Sequence, residues 1–70
     1  MEKTFINSSQ IDKVEYNPET QELDITFKRG VQYRYYQVPP EIWDEVQTTA
    51  SITSLFYQKI KNHFKYQRLN

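Results

Sequence analysis

The sequence predicts an α+β domain, a three-stranded antiparallel β-meander followed by two α-helices packed on one face of the sheet. Three observations predict it. Apolar and polar residues alternate in three short runs before residue 36, the two-residue period of a half-buried strand. Turn-forming residues separate these runs. Beyond Pro39-Pro40 the apolar spacing changes to three and four, which is that of an amphipathic helix.

The first strand follows from Val14 and Tyr16 alternating with Lys13 and Glu15. Asn17-Pro18-Glu19-Thr20 then places proline at the second position of a turn, where its fixed φ suits type I. In the second strand Leu23, Ile25 and Phe27 alternate with Asp24, Thr26 and Lys28. With Tyr16 facing Leu23, Val14 faces Ile25 and the apolar faces coincide. The next connection decides the third strand. A two-residue turn at Arg29-Gly30 would set Ile25 opposite Arg34, on the wrong face, whereas a three-residue Lys28-Arg29-Gly30 loop sets Ile25 opposite Tyr33 and Leu23 opposite Tyr35. The single glycine takes the left-handed position of that loop. Tyr33 and Tyr35 then face the core, and Arg34 and Tyr36 face the other way.

Val38-Pro39-Pro40 stops the strand, because proline cannot donate to a ladder, and Pro40 suits a first helical turn. A helix of about two turns follows, EIWDEVQ, with Ile42, Trp43 and Val46 on one side. Ser51 is the N-cap expected for a longer helix reaching about His63, with Ile52, Phe56, Ile60 and Phe64 at helical spacing and Leu55 widening the stripe. The tail KYQRLN leaves that helix carrying charge. Phe27, Trp43, Phe56 and Ile60 are the expected heart of the core.

Seventy residues make one domain, residues 1–70, and so short a chain buries only roughly 60% of its unfolded surface, so a dimer or tetramer is expected. The chain has no cysteine and nothing near the roughly 18 apolar residues of a membrane span. The expectation is a protein of the bacterial cytoplasm. Nine basic residues balance nine acidic ones, so no overall positive field gathers nucleic acid. The charge is nevertheless segregated. Residues 1–58 hold five basic and nine acidic residues, a balance of −4, whereas Lys59, Lys61, Lys65 and Arg68 follow with no acid. His63 is the only histidine, no carboxylate pair has a spacing that demands acid–base work, and no cluster has metal-ligand spacing. No catalytic residue, metal or cofactor is expected.

Ser8-Ser9-x-Ile11, Val14 and Tyr16, Leu23-x-Ile25-x-Phe27, Gly30, Tyr33-x-Tyr35, Val38-Pro39, Ser51 and the closing Ile60…Phe64-x-Tyr66-x-Arg68-Leu69 together resemble the KTSC domain. That family is named for its occurrence at the C-terminus of some lysyl-tRNA synthetases and also forms short stand-alone bacterial and phage proteins. The resemblance covers nearly the whole chain and implies RNA binding from the synthetase context. The sequence departs from the pattern at Ser51-Ile52-Thr53, where the family tends to have Ser-Lys-Gly. A phosphate site at that helix start loses a cation but keeps its backbone amides and the hydroxyls of Ser51, Thr53 and Ser54.

Two binding readings and a bland one follow. The preferred one is a small-nucleotide binder, a homo-oligomer sequestering signalling molecules such as cyclic dinucleotides in the manner of a phage anti-defence sponge. Arg34 and Tyr36, the hydroxyls of Ser51, Thr53 and Ser54, and Lys61, Lys65 and Arg68 are its candidate ligand-binding residues. A pocket needs only a few cations and aromatic faces for bases, and 16% aromatic content exceeds what a small core obviously requires. The alternatives are an RNA-binding module, which net charge 0 disfavours because unspecific affinity comes from many phosphate contacts, and a protein-interaction domain with no ligand.

Overall fold

The computed structural model describes all residues, 1–70. Its α+β class is the one expected, but the sheet has five antiparallel strands rather than three, in the order β1-β2-β3-β4-β5. They are β1 (Glu2–Thr4), β2 (Ile11–Asn17), β3 (Glu22–Phe27), β4 (Gln32–Tyr35) and β5 (Tyr66–Arg68). Between β4 and β5 come α1 (Pro40–Thr48) and α2 (Ile52–Leu55), the latter running on as a π-helical turn, Phe56–Ile60. No helix is long and apolar enough to cross a membrane.

The three inner strands adopt the registers that alternation dictates. Tyr16 stands opposite Leu23 and Val14 opposite Ile25. Across the Lys28-Arg29-Gly30 turn, Ile25 pairs with Tyr33 and Leu23 with Tyr35. Gly30 has φ +94°, so the turn uses the one residue that adopts this conformation without strain. β2 begins two residues earlier than expected, with an irregularity between Ile11 and Lys13 that keeps both Ile11 and Val14 buried.

The two additional strands are the sheet's edges. Glu2, Lys3 and Thr4 pair with Glu15, Val14 and Lys13. At the other edge Tyr66, Gln67 and Arg68 pair with Tyr35, Arg34 and Tyr33, so the charged tail expected to leave the helix forms a strand. Beyond it the Leu69 amide donates to the Gln32 carbonyl, Asn70 Oδ1 accepts from the Gln32 amide at 3.0 Å, and Asn70 Nδ2 donates to the Gly30 carbonyl at 2.7 Å.

Pro40 opens α1 as its first residue, and Trp43 and Val46 are buried from it. The Trp43 ring stacks on Tyr16, centroids 5.7 Å apart, and the Tyr16 hydroxyl donates to the Val38 carbonyl. Ser51 caps α2, its hydroxyl accepting from the Ser54 amide at 3.3 Å. The expected helix to His63 ends instead at Ile60. The Lys61 amide reaches back five residues to the Phe56 carbonyl, and Asn62 at φ +68° then reverses the chain toward β5. Asparagine tolerates that left-handed conformation better than most residues. Phe27, Trp43, Phe56 and Ile60 all lie in the buried cluster, Ile60 with no exposed surface.

Candidate functional site

The strand registers divide the eight candidate residues between two faces and one helix start. Arg34 and Tyr36 lie on the sheet face turned away from the helices. Arg34 is directly opposite Asp24 and makes a two-pronged contact with it, Nε donating to Oδ1 at 2.9 Å and Nη2 to Oδ2 at 3.0 Å, with a Glu22 oxygen 3.9 Å away. Hydrogen bonding to Asp24 and its charge, ahead of the more distant Glu22, raise the arginine pKa further above its ordinary range. Glu15, Glu22 and Asp24 share a shallow cleft with this guanidinium, which makes it a poor host for an anion. The Tyr36 hydroxyl donates to Gln67 Oε1 at 2.9 Å.

The hydroxyls at the start of α2 are occupied in holding the chain. Ser51 binds the amide and hydroxyl of Ser54, while Thr53 Oγ1 lies 3.4 Å from Ser8 Oγ. Ser8 Oγ in turn accepts from the Ile11 amide at 3.1 Å, so the serine leading into β2 is tied to α2. Ser51 and Thr53 line a cleft of about 420 Å³ with Ser8 and Ser9, the largest on the surface. No charged side chain lines it, so it has nothing to neutralise a phosphate.

Lys61 belongs to a different surface. The strands carry Tyr33 and Tyr35 toward the helices, β5 sets Tyr66 beside them, and the π-helical turn supplies Phe56 and Tyr57. Together with Phe27 they form an aromatic cleft of about 260 Å³. Tyr66 stands edge-on to Tyr33, centroids 5.6 Å apart, and tilted against Tyr35 at 5.5 Å. The phenol of Tyr35 at its base is pushed up to about 12 by burial first and then by Tyr66 and Tyr33, so it remains a neutral donor throughout the physiological range. At the mouth, Tyr57 and Tyr66 are half exposed, at 50% and 58%, so aromatic surface is open to a planar ligand.

Two cations flank this cleft without a carboxylate partner. Arg29, carried by the tight β3–β4 turn, lies over the Phe27 ring with Cζ 5.7 Å from its centroid. Lys61 Nζ lies 5.1 Å from the Tyr57 centroid. The lining contains neither acid nor histidine. Arg68 stands opposite Tyr33 and so shares this face, although its Nε donates to the Asn70 carbonyl at 2.6 Å. Lys65 is exposed immediately before Tyr66. Lys13, Arg34 and Lys59 are the cations that pair with carboxylates, and they sit elsewhere on the surface. Folding thus places Lys61 and Arg68 on the aromatic face and leaves Arg34, Tyr36, Ser51, Thr53 and Ser54 outside the cleft. Arg29, Tyr57 and Tyr66, none of them among the residues expected to bind a ligand, join it.

The model of the KTSC domain family matches residues 7–64, most of the chain and both flanking cations. The chain belongs to the KTSC domain family. Proteins similar to it include an uncharacterized protein of Stutzerimonas stutzeri, 34% identical over the full length of both chains. A lysine–tRNA ligase of Nostoc sp. is 36% identical over 62 residues, covering 89% of this chain, which spans only 11% of that ligase's length. The crystal structure of a KTSC domain protein from Yersinia pestis superposes with a TM-score of 0.88 at 25% identity, covering 100% of this chain and 97% of the other.

Proposed function

We propose that this KTSC protein is a non-enzymatic binder of small phosphate-bearing nucleotides, holding a base in the aromatic cleft and a phosphate between Arg29 and Lys61. One observation carries the reading: open tyrosine faces and two unpaired cations converge where no acid lines the surface. An aromatic wall stacks any base, a contribution of about 1–3 kcal/mol, and a guanidinium grips phosphate with a planar fork. The cleft offers neither a carboxylate nor an imidazole to act as a base, which supports binding without chemistry.

At about 260 Å³ the cleft is small beside ordinary ligand pockets of roughly 300–1,000 Å³, and it suits one base rather than two. A cyclic dinucleotide would therefore engage two copies, which accords with a dimer or tetramer acting as a sponge for signalling nucleotides, the phage anti-defence role included. The second reading is a contact to RNA, favoured by the same region occurring within lysine–tRNA ligases.

The test is calorimetric titration with AMP, GMP, cyclic di-AMP and a ten-nucleotide single-stranded RNA, with light scattering to read the assembly. Arg29→Ala and Tyr66→Ala should each weaken nucleotide binding about 10- to 100-fold without unfolding the domain. Unchanged binding by the double variant overturns the site. A loss of about 10³-fold for RNA between 50 and 200 mM salt, with no small-nucleotide binding, transfers the function to RNA.

A further inference from the structure

Arg29 and Tyr57 do not face the aromatic cleft alone. A second cleft of about 320 Å³ adjoins it, sharing Phe27, Arg29 and Tyr57 and adding Lys28, Ser9 and Gln10. The two differ in chemistry. Aromatic rings dominate the first, whereas the second offers an ammonium, a hydroxyl and an amide on one side of Arg29. Tyr57 stands between them, its hydroxyl 3.4 Å from Gln10 Oε1, and the wall it forms is half exposed. Lys28, like Arg29, has no carboxylate partner, and no acid lines this cleft either. Its backbone amide donates to the Gln10 carbonyl at 2.8 Å, which fixes the segment carrying the cation against the start of β2.

From this geometry we infer that the adjoining cleft binds a second phosphate of the same nucleotide, with Lys28 as its counter-charge and Arg29 shared between both phosphates. The inference rests on the base-binding reading above. A guanidinium has five donors, enough to bridge two phosphate groups, and a lysine beyond it supplies the point charge that a second phosphate requires. The preferred ligands are therefore nucleotides with at least two phosphates. A linear 5′-diphosphate chain and a cyclic dinucleotide both present this chemistry.

The experiment compares adenosine, AMP, ADP and cyclic di-AMP on the wild-type chain and on Lys28→Ala and Tyr66→Ala, with GMP and GDP in parallel. Lys28 is exposed in a turn and its truncation leaves the fold intact, which circular dichroism checks. ADP or cyclic di-AMP should bind about tenfold or more tighter than AMP, and Lys28→Ala should remove that advantage while leaving AMP affinity unchanged. Loss confined to ADP assigns the second phosphate to a linear chain, and loss confined to cyclic di-AMP assigns it to the cyclic ring. AMP binding that depends on Tyr66, with no gain from a second phosphate or no Lys28 effect, overturns this inference and leaves the base site standing. Absence of binding by every nucleotide overturns both.

Discussion

Truncating Phe56 to alanine tests the π-helical turn that shapes the cleft. The ring is 4% exposed and meets three others edge-on, Phe27 at 5.6 Å, Tyr35 at 6.0 Å and Tyr57 at 5.2 Å. Removing a buried phenylalanine costs about 3–5 kcal/mol through lost transfer energy and the cavity left behind, and the three edge contacts place this site in the upper part of that range. A domain of 70 residues has roughly 4–10 kcal/mol in total. Phe56→Ala should therefore lower the urea midpoint, followed by far-ultraviolet circular dichroism, by about 40% or more. Tyr57→Ala, one residue on and half exposed, should cost under about 1 kcal/mol. An unchanged midpoint for Phe56→Ala, or a greater loss for Tyr57→Ala, would show that the turn presents different residues to the core.

Arg34→Ala strands the Asp24 carboxylate beside Glu22 and should lower stability by about 1–3 kcal/mol in thermal melts while leaving AMP affinity unchanged; lost affinity at unchanged stability would refute the outer-face assignment. Gly30→Ala meets no steric obstacle but holds alanine at φ +94°, so it should cost about 1 kcal/mol or more and, by displacing Arg29, weaken AMP binding, both read by melting and titration. The Tyr35 phenol is raised from 10.0 to about 12 in the folded chain, so its contribution to stability is complete below about pH 10 and is lost as pH rises through about 12. Tyr35→Phe removes this contribution, and a melting temperature as alkali-sensitive as wild type across that window would contradict the assignment.

The inner hairpins were legible because a period of two leaves no freedom: shifting the register by one residue would turn Leu23, Ile25 and Tyr35 to solvent. The edge strands were not. Glu2-Lys3-Thr4 and Tyr66-Gln67-Arg68 are three residues each, too short for alternation to register, and their pairing rests mainly on backbone hydrogen bonds that any side chains would permit. The helix end was missed because Phe64 continues the apolar stripe, while the opposing signal, Asn62 as a left-handed stop, is a single residue. The pairing of Arg34 with Asp24 was legible, since the register that put Arg34 on the outer face also put Asp24 directly opposite. Lys61 and Arg68 stood out by charge segregation. Arg29, Tyr57 and Tyr66 come from a turn, a helix and an edge strand, and only the complete five-stranded sheet with its helices brings them together.

The three hydrogen bonds that link Leu69 and Asn70 with Gln32 and Gly30 fasten these two residues to the turn that carries Arg29. Forty positions apart in sequence, Asn70 and Gly30 join the last strand and the turn that carries Arg29 into one mechanical unit. A purification handle fused after Asn70, or a trim of two residues, would therefore act on the cleft as a loosened strap acts on what it holds, letting Arg29 swing while the core stays folded. Any substitution that loosens Leu69 or Asn70 therefore reaches the cleft through the turn and not through the core.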